Sequence, residues 1–392
     1  MYKGNDRRSY EVRSRIPRVQ PVRQKPSGLA ILLAVVIGAA LLLGAGYLGA
    51  FLATASDKKS ELTAIIYQDP GKFGENLSGV SYTGSELGTV KAAELAKRSI
   101  VDIDAANAGR GSGVIIAVSA GGDGGNEDAA YIVTNSHVVE GAGNVTVTFP
   151  GGTRCDAEWA KGDATSDIAV IKVNVDCAAI GAAQAVFGQG APQAGQQIIA
   201  VGNPLGNLGG SVAGGMIAAA SRQVSTDGRT MELIQLDIAL NQGNSGGGLF
   251  DLRGALIGIV NAKSLAEGVE GIGFAIPLDK VMEVVSAIME NGYVPGRADE
   301  DVLKFKEVVS GGAMASGLYV SDNSGSDSVP EGALLVSADG EKISTKAQWV
   351  ALIARKKANE TIKIEYAKDG EVTTETITLP EKTSCDWEYR RG

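Results

Sequence analysis

The 392-residue sequence holds a single histidine, His137. That scarcity excludes a histidine-rich metal centre and fixes which imidazole any proton transfer must use. Cysteine is nearly as rare: Cys155, Cys177 and Cys385 stand alone, with no Cys-x-x-Cys pair. No zinc-ligand set is written in the chain, and neither a metal nor a cofactor is expected. Aromatic residues reach only 5%, whereas glycine counts 53. Glycine at that level, without a collagen period, implies many tight turns and bulges and hence a β-rich fold. Positive charge is scarce outside the first residues. Residues 1–27 carry a net +6, and the remainder must carry −15 to give the overall −9. An acidic body excludes nucleic acid as a partner, because such binding neutralises phosphates with Lys and Arg.

Charge is missing altogether from residues 28–55. About 20 apolar residues suffice for a helix to cross a bilayer, so this run is long enough to span. The basic flank precedes it and Asp57 follows, which orients the N-terminus towards the cytoplasm. A cleaved signal peptide is the competing reading, and Ala53-Thr54-Ala55 offers a cleavage-like site. Signal-peptide apolar regions are shorter, about 7–15 residues, which favours a retained single-pass anchor. Either way the body is expected outside the cytoplasm.

Beyond it, residues 56–90 are polar and Gly/Ser-rich, as in a linker. Residues 91–292 alternate short β-type runs with glycine turns, for example Tyr131-Ile132-Val133, Ala169-Val170-Ile171-Lys172-Val173 and Leu256-Ile257-Gly258-Ile259-Val260. Such spacing predicts a barrel or sandwich. Over 278–291 the apolar period turns helical, with Pro277 before it and Gly292 after it as start and stop signals. A charged linker is expected at 293–310, a small α+β domain at 311–383 and a tail at 384–392. Loop 119–129, with four glycines, reads as mobile.

Ser245 lies in Gly243-Asn244-Ser245-Gly246-Gly247. A serine hydroxyl is a weak nucleophile until a base takes its proton. Flanking glycines let the backbone turn sharply, so that N–H groups converge on a developing oxyanion. Residues Gly243, Asn244 and Ser245 form the candidate hole, with the Gly243 and Ser245 amides as the natural donors. The same pattern fits the Gly-x-Ser-x-Gly elbow of α/β-hydrolases. That fold needs a histidine after the serine, and none follows Ser245. The order His137, Asp167, Ser245 is instead that of β-barrel hydrolases. His137 is the candidate base, and Asp167 would hold its tautomer and stabilise its charged form.

Five segments carry a family resemblance. Thr134-Asn135-Ser136-His137-Val138-Val139, Ser166-Asp167-Ile168-Ala169-Val170-Ile171-Lys172 and Gly202-Asn203-Pro204-Leu205-Gly206 are followed by Asp237 to Gly247 and Gly271-Ile272-Gly273-Phe274-Ala275-Ile276-Pro277. In this order they resemble the motifs of HtrA/DegP-type trypsin-fold serine proteases. The resemblance implies a mainly β chain: a chymotrypsin-like double β-barrel protease domain, then a PDZ-like domain similar to Val336–Ile343 and Ile362–Gly370, all preceded by one transmembrane helix. It implies endoproteolysis of unfolded or damaged polypeptides in envelope quality control, and it is compatible with a homotrimer. Ala239 stands where trypsin-type enzymes place an acid, so Ala239, Leu240 and Ile259 are candidate walls of an apolar substrate pocket. Loops 203–213 and 221–230 are candidate movable loops. In the extracytoplasmic compartment Cys155 and Cys177 form a candidate disulfide, with three separate thiols as the alternative. The competing function is a proteolytically quiet, chaperone-like or peptide-binding protein on the same fold.

Overall fold

The computed structural model describes residues 88–119, 128–203, 210–226, 229–241, 243–262, 271–309, 315–326 and 328–391. The expected membrane anchor at 28–55, most of the 119–129 loop and much of 203–213 lie outside the described residues. Among the described residues no helix is long and apolar enough to cross a membrane.

A helix, α1 (Thr89–Lys97), leads into seven strands: β1 (Ile100–Ala105), β2 (Gly109–Ser119), β3 (Ala129–Thr134), β4 (Val145–Thr148), β5 (Arg154–Asp156), β6 (Trp159–Asp163) and β7 (Ile168–Asn174). One turn of helix, α2 (Ser136–Val139), follows β3. The strands pair in the order β6-β7-β3-β2-β1-β4-β5. Only Ala157 and Glu158 separate β5 from β6. Ala157 N–H donates to the Val145 carbonyl and Glu158 N–H to the Lys172 carbonyl, each at 2.8 Å. One bent stretch thus reaches β4 at one end and β7 at the other, and the sheet curls round on itself.

Six further strands, β8 (Gln197–Gly202), β9 (Ser211–Thr226), β10 (Arg229–Asp237), β11 (Gly248–Asp251), β12 (Leu256–Val260) and β13 (Ile272–Pro277), form a closed barrel in the order β10-β13-β12-β11-β8-β9. The 221–230 stretch is not an irregular loop. Apart from residues 227 and 228 it is a β9–β10 arm, with Glu232 opposite Gln223 and Leu233 opposite Arg222.

The central strands are buried on both faces, which explains their unbroken apolar runs. On β7, Ile168 and Val170 enter the core shared with the second barrel, whereas Ala169, Ile171 and Val173 fill the first sheet. Helix α3 (Leu278–Asn291) closes the shared core with Val281, Val284, Val285 and Ile288. Burying each such side chain contributes about 1.5–3 kcal/mol. Pro277 is its N-cap, and Gly292 ends it in the left-handed conformation at φ 85°.

A third sheet, β14 (Lys304–Val308), β15 (Gly317–Asp322), β16 (Leu334–Ala338), β17 (Glu341–Lys342), β18 (Thr361–Lys368) and β19 (Glu371–Thr378), encloses its own core with α4 (Lys346–Ile353). A Thr345/Gln348 capping box starts α4. Two expectations change here. The 293–310 stretch is not only a linker, because it carries a 3₁₀ turn, Glu300–Val302, and the edge strand β14. Residues 384–392 are not a free tail, because β20 (Trp387–Arg390) pairs with β6 of the first sheet. The candidate disulfide is also absent: Cys155, Cys177 and Cys385 are free thiols. Burial raises the Cys177 thiol to about 11, so it packs as a small apolar group rather than a reactive thiolate.

Candidate active site

The three candidate catalytic residues come from three different local devices. His137 sits in α2, directly after β3, with Asn135 as the extended N-cap residue. Asp167 is the last residue of the β6–β7 hairpin loop and is held at φ 54°. Left-handed backbone is uncommon outside glycine, though Asp tolerates it better than most residues. Ser245 lies between β10 and β11 in the second barrel.

The Asp167 carboxylate is fully engaged. His137 Nδ1–H donates to Oδ2 at 2.8 Å and approaches Oδ1 at 3.0 Å. The His137 backbone N–H donates to Oδ1 at 3.0 Å, and Asn261 Nδ2 donates to Oδ2 at 2.9 Å. The Asp167 carbonyl accepts from Asn135 Nδ2 at 3.0 Å. With Nδ1 carrying the proton, Nε2 is left as the acceptor a general base needs. The Ser245 hydroxyl accepts the Ala262 N–H at 3.3 Å. Among the described residues no hydrogen bond joins it to His137. Unliganded sites often show such loose geometry.

In the serine turn, Asn244 N–H donates back to the Asn241 carbonyl at 3.1 Å, and Gly243 has φ 95°. Positive φ at that position calls for glycine. Asn244 N–H is therefore spent inside the turn and drops out of the candidate hole. The Gly243 and Ser245 N–H groups donate to no other protein group among the described residues, as an anion-binding pair requires. Gly246 has φ 80°, and a Cβ there would lie 2.1 Å from the Ser112 carbonyl oxygen and 2.2 Å from Thr134 Oγ1. No side chain fits.

Ser112, on β2, is a residue the sequence motifs do not single out. It is fully buried, and each of its polar atoms meets the site. Its N–H donates to the Ser245 carbonyl at 2.9 Å, and its carbonyl accepts from Thr134 Oγ1 at 2.7 Å. Its hydroxyl donates to the Gly243 carbonyl at 2.7 Å and accepts the Asn203 N–H at 2.8 Å. Beside it on β1, Asp102 is raised by burial, opposed by a hydrogen bond from the Asn203 side chain. Ser112 thus ties the first sheet to the serine turn and to the start of the 203–213 loop. Asn261, just past β12, is the second residue that the motifs miss.

The candidate pocket walls fare unevenly. Leu240 is buried in the second barrel and Ala239 is exposed. Ile259 is fully buried against the α3 side of the shared core. Among the described residues no group of His, Cys, Asp and Glu is arranged to hold a metal.

The trypsin-like peptidase domain family matches residues 111–259, which include His137, Asp167 and Ser245. The chain is 34% identical over 274 residues to a probable periplasmic serine protease Do/HhoA-like of Haemophilus influenzae, covering 67% of this chain and 56% of that protein. It is 30% identical over 300 residues to serine protease Do-like HtrA of Lactococcus lactis subsp. cremoris, covering 70% of this chain and 71% of that one. Among solved structures, the HtrA-type protease AlgW with decapeptide aligns at 25% identity and a TM-score of 0.47, over 76% of this chain and 99% of that one.

Proposed function

Because the chain belongs to the Do/HtrA-like family of trypsin-type serine proteases, we propose that it is an extracytoplasmic serine endopeptidase acting on unfolded or damaged polypeptides. The observation that carries this reading is the Asp167 carboxylate, whose Oδ2 accepts both the His137 ring at Nδ1 and the Asn261 side-chain amide. His137 Nε2 takes the Ser245 proton as Oγ attacks the scissile carbonyl. The Gly243 and Ser245 amides receive the oxyanion, and His137 returns the proton to the leaving amine. Each amide donor contributes about 2.7–4 kcal/mol of barrier lowering. Relatives described as periplasmic support the compartment, and residues 28–55 would supply the anchor. A homotrimer remains compatible with this reading.

The third sheet with α4 is proposed as a PDZ-like module with a docking role. PDZ domains take a peptide as an added edge strand. Here Phe305 of β14 meets Trp349 of α4 edge-on, with ring centroids 5.1 Å apart. Trp349 Nε1–H donates to the Glu300 carbonyl at 2.8 Å, and Lys346 N–H donates to Glu307 Oε2 at 3.3 Å. A peptide entering between β14 and α4 would have to displace these contacts.

Casein degradation by residues 57–392, beside Ser245→Ala and across temperature, tests the reading. Cutting and fluorophosphonate labelling are expected from the wild type and absent from the variant. A wild type that neither cuts nor labels, yet suppresses aggregation of an unfolded client, would point to the chaperone-like alternative.

A further inference from the structure

The loop that presents Asp167 is tied to parts of the chain far outside the first sheet. It spans residues 164–167, between β6 and β7. At its start, Ala164 N–H donates to Asp386 Oδ2 at 2.6 Å. Asp386 N–H in turn donates to the Gly162 carbonyl at 3.0 Å. Its other carboxylate oxygen receives Lys382 Nζ, which also reaches Glu300 Oε1 at 2.6 Å. One residue earlier, Asp163 Oδ2 accepts the Ser166 N–H at 2.8 Å and Arg297 Nη2 at 3.3 Å. Both outside anchors, Arg297 and Asp386, belong to the segments that enter and leave the third sheet.

The strand that follows Asp386 fixes this grip in register. In β20, Trp387 lies opposite Gly162 and Arg390 opposite Trp159. Trp387 and Tyr389 pack on the core of the first sheet. Tyr389 Oη–H donates to Asn144 Oδ1 at 2.7 Å, and Arg391 N–H to the Glu158 carbonyl at 3.0 Å.

We infer that Asp386 is a positioning residue for the catalytic carboxylate: by holding Ala164 N–H it keeps the 164–167 loop in the conformation that aims Asp167 at His137. The physical case has three parts. Asp167 sits in a backbone region that costs energy and persists only where its surroundings over-determine it. Asp386 is a charged acceptor shielded from water, its side chain 15% exposed, so its bond to the amide is strong. Catalysis is steep in distance, and a shift of about 1 Å at a catalytic group can cost on the order of 100-fold in rate. The third sheet is on this account coupled to the chemistry through its exit segment rather than through a bound peptide.

The inference rests on the proteolytic reading, and its test separates the two. Full-length wild type, Asp386→Ala, Asp386→Asn and Tyr389→Phe are compared for kcat and KM on a peptide substrate, fluorophosphonate labelling of Ser245 and Tm. Asp386→Ala is expected to lose about tenfold in kcat, with KM within about twofold. Asp386→Asn keeps an oxygen for Ala164 N–H and recovers most of that loss. Tyr389→Phe removes a bond from the same strand and leaves kcat unchanged. Wild-type kcat in Asp386→Ala, or an equal loss in Tyr389→Phe, overturns the positioning role and leaves a plain structural staple. A wild type that neither cuts nor labels overturns the proteolytic reading and takes this inference with it.

Discussion

The loop carrying Asp167 and the turn carrying Ser245 solve one problem, holding a reactive side chain still, by opposite means. The serine turn is fixed by backbone. Glycines occupy the positions where a side chain would collide, and main-chain groups of β2 and β12 take its hydrogen bonds, as when Gly246 N–H donates to the Val260 carbonyl at 3.0 Å. The aspartate loop is fixed by side chains that arrive from Asn135, Asn261, Arg297 and Asp386. A device made of backbone and missing Cβ atoms leaves a dense local signature in the sequence. A device made of scattered polar side chains leaves almost none.

Substitutions in the two regions should therefore fail in different ways. The largest effect is expected from Gly246→Ala. Its Cβ has no room and its φ is strained, so the variant should lose at least about 4 kcal/mol of stability in denaturant unfolding, together with all activity. A stable but inactive Gly246→Ala would break the contrast. Next, Asp167→Asn should fold normally, since Asn accepts left-handed backbone, yet lose about 10⁴-fold in kcat through the wrong histidine tautomer. Ser112→Ala removes the side chain that ties the first sheet to the serine turn. A loss of about 10–100-fold in kcat, with KM little changed, is expected from a disturbed oxyanion pair. Asn261→Ala, which deletes one of the hydrogen bonds to Asp167, should cost about tenfold, or roughly 1–1.5 kcal/mol of barrier. A loss in Asn261→Ala larger than in Ser112→Ala would reverse the ranking of the two devices.

The same contrast explains what was legible in the sequence. The helix 278–291 and the Gly-Asn-Ser-Gly-Gly turn carry local patterns, a helical apolar period and a glycine cage, and both are found where expected. His137 follows its strand and Asp167 immediately precedes the next, close to where their flanking apolar runs place them. Ser112 and Asn261 reach the site only through strand pairing and barrel closure, which no neighbouring residue encodes. Strands β9, rich in Ala and Gly, and β14, Lys-Phe-Lys-Glu-Val, lack the β-branched runs that mark strands. For β20 the partner lies more than 220 residues earlier in the chain.

That separation has a consequence in time. The contact between His137 and Asp167 closes over 30 residues, whereas Asp386 reaches Ala164 across 222. Loop-closure entropy makes the longer contact roughly 1.8 kcal/mol costlier to form in an unfolded chain, and synthesis delivers its second partner hundreds of residues after its first. A growing chain therefore holds its histidine, aspartate and serine well before it can latch the aspartate loop. Where a nascent hydrolase emerges among unfolded neighbours, such an order of events would delay full activity until the segment around Asp386 has been made and folded.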